Sequence, residues 1–288
     1  PDPVQLSTRP GKVLPRSFGE AKKLLADARN SIIANGKAPS PKYTQEQLHQ
    51  IAQEGFADEK FIVRLVEEPH VHRNGPHNGT LGKEGPAGVQ VWSTSFDQIA
   101  HLDTDPKLIT ESMGVNYKPD ARYKLAITDQ ADAVKYADAE TIVPTYGNLT
   151  KFVEDKLPGK VENPALTREV MTAGYAGVYE SLISNMPPAA WGNPQIRNAY
   201  LRKAGLGLDG IKKFNTRISI QNNTGANEHF TGNGLTKTTN STRDQPVYGV
   251  VEAFSLHKNP KTFRQMAGME GGTQWVELVD LEPINFGA

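Results

Sequence analysis

The chain of 288 residues contains no cysteine. This excludes disulfides, thiolate metal sites and a cysteine nucleophile. It also suits a protein that must unfold and refold while crossing a membrane. Long apolar runs are lacking too: stretches such as Phe61-Ile62-Val63 are brief, far below the ~18 residues of a membrane-spanning helix. Charge of one sign is not in excess, since Lys+Arg and Asp+Glu both number 32. The basic surplus or clustering by which nucleic-acid binders are usually recognised is therefore absent. There is no Gly-x-Ser-x-Gly elbow for a serine hydrolase. The nearest approach to a dinucleotide fingerprint, Gly205-Leu-Gly207-Leu-Asp-Gly210, follows a helical pattern instead of a strand, so it fails its context test. The sequence opens on Pro1-Asp2-Pro3 with no basic start and apolar stretch, and is expected to be a processed product or an excerpt of something longer.

What remains is a polar globular composition, 37% hydrophobic and 22% charged, with enough length for a sizeable core. Residues 1–16 read as a Pro-rich arm. Ser17 and Glu20 have the form of a capping box ahead of a helix that Gly36 stops, and Thr44 with Gln47 announces a second. Strands are expected at Phe61–Val66, Val89–Trp92, Tyr123–Ile127 and Ala139–Val143. Short helices are expected from Ser95 and from Asp105-Pro106, and another over Leu149–Leu157. A longer helix is predicted over residues 165–185, and one from Pro194 to Gly205. From about Arg217 the composition shifts to Asn, Thr and Gly, with strand candidates at Arg217–Gln221, Val247–Phe254 and Gln274–Val279. The fold class is α+β: an N-terminal arm and helices (1–58), a mixed two-sheet core (59–160), then a helical and finally β-rich part (161–288) that either stands apart or belongs to the same domain.

Three polar features stand in order within this pattern. Arg64 interrupts an apolar strand, Ser93-Thr94-Ser95 ends the next strand just before Phe96, and Glu140 opens a strand that runs to Pro144-Thr145-Tyr146-Gly147. Singly, each has an ordinary explanation: a strand Arg reaching Glu67 or solvent, a strand end with a helix cap, an exposed strand acid. Together they resemble the arginine–serine–glutamate class of bacterial-toxin ADP-ribosyltransferases. In that family an Arg comes from the first core strand, a Ser-Thr-Ser strand ends beside an aromatic residue, and a Glu-bearing strand follows a turn.

The resemblance covers roughly residues 60–150 and implies an ADP-ribosyltransferase-like two-sheet core. It implies NAD as substrate, a protein acceptor in a target cell, and secretion or injection of the chain. Arg64 is then the phosphate-side anchor, because a guanidinium binds pyrophosphate through paired, charge-assisted contacts. Ser93, Thr94 and Ser95 line the nicotinamide pocket and hold the acid. Glu140 is the catalytic residue that stabilises the oxocarbenium-like state as nicotinamide leaves. Members that modify arginine carry Glu two residues before the catalytic acid and others carry Gln, whereas Asp138 stands two before Glu140. A rival acid is Glu270 or Glu277, around the Gly271-Gly272 turn.

Water as acceptor would make the chain an NAD glycohydrolase, and a third reading is a non-enzymatic module of a secreted or phage particle. A separate cluster, Glu67, Glu68, His70, His72 and His77, offers metal-ligand chemistry. Its spacing matches no metal motif, and residues 69–88 are expected to form an exposed, metal-free loop.

Overall fold

A computed structural model describes residues 14–56, 59–72, 90–92, 94–102, 105–143, 145–156, 163–224, 229–242 and 245–285. The N-terminal helices form where their caps predict. In α1 (Phe18–Asn35) the Ser17 hydroxyl accepts from the Glu20 N–H at 3.1 Å, and Gly36 closes the helix at φ 69°. The expected reciprocal box is only half made, because Glu20 accepts from the Arg16 N–H at 2.6 Å instead of from Ser17. In α2 (Gln45–Glu54) both halves of the Thr44–Gln47 box are present.

Two antiparallel sheets carry the core. The larger has the order β3 (Thr94–Ser95), β1 (Phe61–Glu67), β4 (Tyr123–Asp129) and β9 (Val276–Leu281). The smaller has the order β2 (Gln90–Trp92), β8 (Ala253–His257) and β5 (Ala139–Ile142). A third pairing joins β6 (Leu235–Lys237) to β7 (Tyr248–Val251). Period-two alternation divides the larger sheet's side chains between its faces. Phe61, Val63, Leu125 and Ile127 pack against α1, α4 (Phe96–Ile99) and α5 (Pro106–Ser112). Ile62, Val66, Ala126 and Val276 turn the other way, onto α2, α6 (Gln130–Ala137) and the Ala139 and Ala253 side of the smaller sheet. The opposite face of that sheet, with Ile142 and Phe254, is covered by α7 (Tyr146–Lys156) and α8 (Pro164–Val170). Beyond them, α9 (Ala173–Ile183), α10 (Pro194–Lys203) and α11 (Leu208–Thr224) form a helical cluster around Tyr179, Leu201 and Phe214. Both sheets are completed by strands from beyond residue 160.

Several expectations need correction. The single helix over 165–185 is two, because Thr172 accepts from the Tyr175 N–H at 3.3 Å and starts α9 afresh. Arg217–Gln221, expected as a strand, lies inside α11: Ile211, Phe214 and Ile218 bury at helical spacing, which outweighs the local Ile218/Ile220 alternation. The start of the histidine-rich stretch is not loop but a short helix, α3 (Glu68–His72). The remainder of that stretch, with His77, lies outside the described residues. Among the described residues no helix is long and apolar enough to cross a membrane, and no three His, Asp or Glu side chains are grouped to hold a metal ion.

Candidate functional site

The two sheets meet where the chain passes from β2 to β3. Trp92 pairs with Ala253 on β8, and Thr94 pairs with Val63 on β1. The residue between them, Ser93, lies outside the described residues. The residue after Val63 is Arg64 and the residue before Ala253 is Glu252. A guanidinium-bearing and a carboxylate-bearing residue thus each adjoin a strand pairing at this junction.

Glu252 is held by its backbone. It sits between β7 and β8, 4% exposed, and its N–H donates to the Gly234 carbonyl at 2.6 Å. The preceding residue, Val251, is fixed on both polar atoms. The Thr94 hydroxyl donates to its carbonyl at 2.8 Å, and its N–H donates to Gln98 Oε1 at 2.8 Å. Gln98 in turn donates through Nε2 to the Ser95 hydroxyl at 3.0 Å. Thr94 and Ser95 are wholly buried. Ser95 makes no side-chain cap on α4, because its hydroxyl is engaged by Gln98. Both residues position the strand that carries Glu252.

Arg64 shares a sheet face with Ile62 and Val66, so it is directed toward the smaller sheet. Its side chain is half-buried and its Nη1 atom inaccessible. Burial lowers its pKa to about 10, which still leaves it charged at neutral pH. The cation is felt by His257 on β8, whose pKa is lowered to about 4, first by burial and then by Arg64. His257 is therefore neutral near pH 7, and its ring meets Trp275 edge-on at 6.3 Å.

None of the three sequence-predicted acids lies at this junction. Glu140 lies on β5, the far edge strand of the smaller sheet, opposite Leu256. Its alternation puts it on the side of Ile142 and Phe254, the face turned away from Arg64. Glu277 lies on β9, three strands from β3, where it pairs with Lys22 at 2.8 Å and with Gln274. Glu270 is exposed at the Gly271-Gly272 turn, 3.4 Å from the Arg264 Nε. Sequence reasoning missed Glu252. The available signal was an acid in the middle of the Val247–Phe254 strand candidate, the same kind of interruption that drew attention to Arg64.

A second polar layer adjoins Glu252 through Gly234. Asn233 is fully buried and donates to the Tyr146 hydroxyl at 2.9 Å and to Glu180 Oε1 at 3.2 Å. The other Glu180 oxygen takes the Tyr248 hydroxyl. Burial, followed by the Glu180 charge, raises the Tyr248 pKa, so this tyrosine remains a donor. Arg217, buried in α11, braces the turn: its guanidinium lies 4.8 Å over the Tyr179 ring and donates to the carbonyls of Val170 and Thr231. Gly232, at φ 88°, lets the turn pass this side chain, since a Cβ there would lie 2.7 Å from Arg217 Nε. Beyond the network opens a cleft of about 230 Å³ lined by Ser184, Trp191, His229 and Lys237 among others.

A further buried carboxylate is structural. Asp97 takes the Lys42 ammonium and the Tyr43 hydroxyl, while its N–H donates to Glu59 at 2.8 Å, so it ties α4 to the segment before α2. The chain matches no family model, no curated protein and no solved structure.

Proposed function

We propose that the chain consumes NAD, transferring its ADP-ribose to a protein side chain of a target cell, with Glu252 in the catalytic position first assigned to Glu140. The observation that carries this reading is positional: Arg64 and Glu252 adjoin Val63 and Ala253, which pair with Thr94 and Trp92 at the passage from β2 to β3. The arginine–serine–glutamate order along the sequence is kept, and Glu252 also follows a turn-rich segment. In the reaction the bond from ribose C1′ to nicotinamide breaks and nicotinamide leaves with its electron pair. The acceptor then bonds to C1′ and loses a proton. Arg64 supplies positive charge for the pyrophosphate. Glu252 supplies negative charge where the sugar becomes oxocarbenium-like. Thr94 and Ser95 act through the strand, holding Val251 and hence Glu252. Under this reading the chain is secreted or injected.

One observation favours water as the acceptor. The residue two before Glu252 is Val250, wholly buried and apolar, where the family that the sequence resembles carries Glu or Gln. Val250 has no side-chain hydrogen bond to offer a protein acceptor, so the same site would act as an NAD glycohydrolase. Incubation with labelled NAD, with and without a eukaryotic lysate, tests both. Protein labelling together with nicotinamide release is expected for the transferase, and release alone for the glycohydrolase. No loss of NAD under either condition, from folded protein, would refute the reading and favour a binding module.

A further inference from the structure

The cleft beside α9 is built around a cation. Lys237 ends β6 at a bulge, where the register with β7 shifts between Thr236 and Lys237, and bulges of this kind re-aim a side chain. The residue is 8% exposed, and its ammonium donates to the Ser184 hydroxyl at 2.7 Å. Among the described residues no carboxylate lies within ion-pairing distance of it. The Glu180 charge reaches it from further off, yet that carboxylate is engaged by Tyr248 and Asn233. A neutral hydroxyl offsets little of the cost of burying an ammonium, so an anion at this wall would be favourable.

The cleft is also lined by a flat ring. Trp191 and Pro188 line the cleft, and the Trp191 backbone is pinned by Arg197, which donates to the carbonyls of Ala190 and Trp191, each at 3.0 Å. Arg197 is itself fixed by Asn215 at 2.6 Å. Ser241 also borders the cleft. Its oxygen already accepts the Val247 N–H at 2.9 Å, leaving its own O–H to donate. A volume of about 230 Å³ is small for a ligand pocket, which limits the ligand to about one nucleotide.

We propose that this cleft binds a nucleoside monophosphate unit, its phosphate on Lys237, Ser184 and Ser241 and its base against Trp191. The site is separate from Glu252, and the proposal does not depend on NAD turnover.

The test is titration of the full chain with AMP, adenosine and inorganic phosphate, read by calorimetry and tryptophan fluorescence. AMP is expected to bind more tightly than adenosine or phosphate and to quench the fluorescence. Lys237→Met should weaken AMP at least about tenfold, the scale of a lost hydrogen bond to a charged group, and leave adenosine nearly unchanged. Trp191→Leu, at a half-buried position, should weaken both AMP and adenosine and abolish the quench. AMP binding no tighter than adenosine, or undiminished in folded Lys237→Met, overturns the proposal. If that variant does not fold, undiminished AMP binding and quench in Trp191→Leu overturn it equally. Nicotinamide release by the unaltered protein tests the ADP-ribosyl reading independently.

Discussion

Glu252→Gln separates charge from shape at the strand junction. The amide matches the carboxylate in size, and the bond from the residue-252 N–H to Gly234 belongs to the backbone, so it survives the change. Thr94 and Gln98 continue to hold Val251. What disappears is a negative charge at a position only 4% exposed, where it is little screened by water. Loss of one electrostatic group aimed at a developing charge costs about 10²–10³ in turnover, or about 2.7–4 kcal/mol of barrier. The variant is expected to stay folded, since its backbone contacts are unchanged. The assay is nicotinamide release under saturating NAD, with thermal melting alongside. Glu140→Gln, on the far edge strand and the other face, serves as control and should retain turnover. If Glu252→Gln releases nicotinamide at near-normal rate, or if Glu140→Gln loses as much, the assignment of the acid is wrong.

Thr94→Val removes the hydroxyl that holds the Val251 carbonyl; it should cost about 1 kcal/mol in a melt and lower turnover more than it raises KM, since it displaces the acid and not the substrate. Gly232→Ala forces a Cβ against Arg217 Nε at φ 88° and should destabilise by more than about 1 kcal/mol; an unchanged melting temperature would show that the Arg217 brace is dispensable. His257, lowered from 6.5 to about 4 in the fold by burial and Arg64, binds its proton more readily when unfolded. Its contribution to stability is therefore complete above about pH 6.5 and is lost as pH falls toward 4. Melts from pH 7 to pH 5 should show a decline that is smaller in His257→Asn.

How much could be read in advance depended on how local the signal was. Caps at Ser17, Thr44 and Asp105 and the Pro194 start act within one turn, and the helices they open are where the residues indicate. The apolar runs of β1, β4 and β9 were equally plain. Arg217–Gln221 misled because Ile218 and Ile220 alternate as in a strand, while the burial of Phe214 and Ile218 by α9 is a tertiary fact. The choice of acid proposed above turns on the same kind of fact. Glu140 is the nearer in sequence to Ser95, but β8 inserts between β2 and β5. Only that non-sequential order brings Glu252 to the junction, and no periodicity along the chain encodes it.

That insertion also sets a timetable for assembly. With β8 as the middle strand, β2 and β5 have no partner in their sheet until residues 253–257 exist, and the loops to be closed are long, which slows such pairings. As the chain emerges from a ribosome or a translocation pore in N-to-C order, Arg64 and the Thr94–Ser95 strand arrive well before the segment carrying Glu252. Under the proposed reading the nascent chain is inactive until its last third docks and completes the junction.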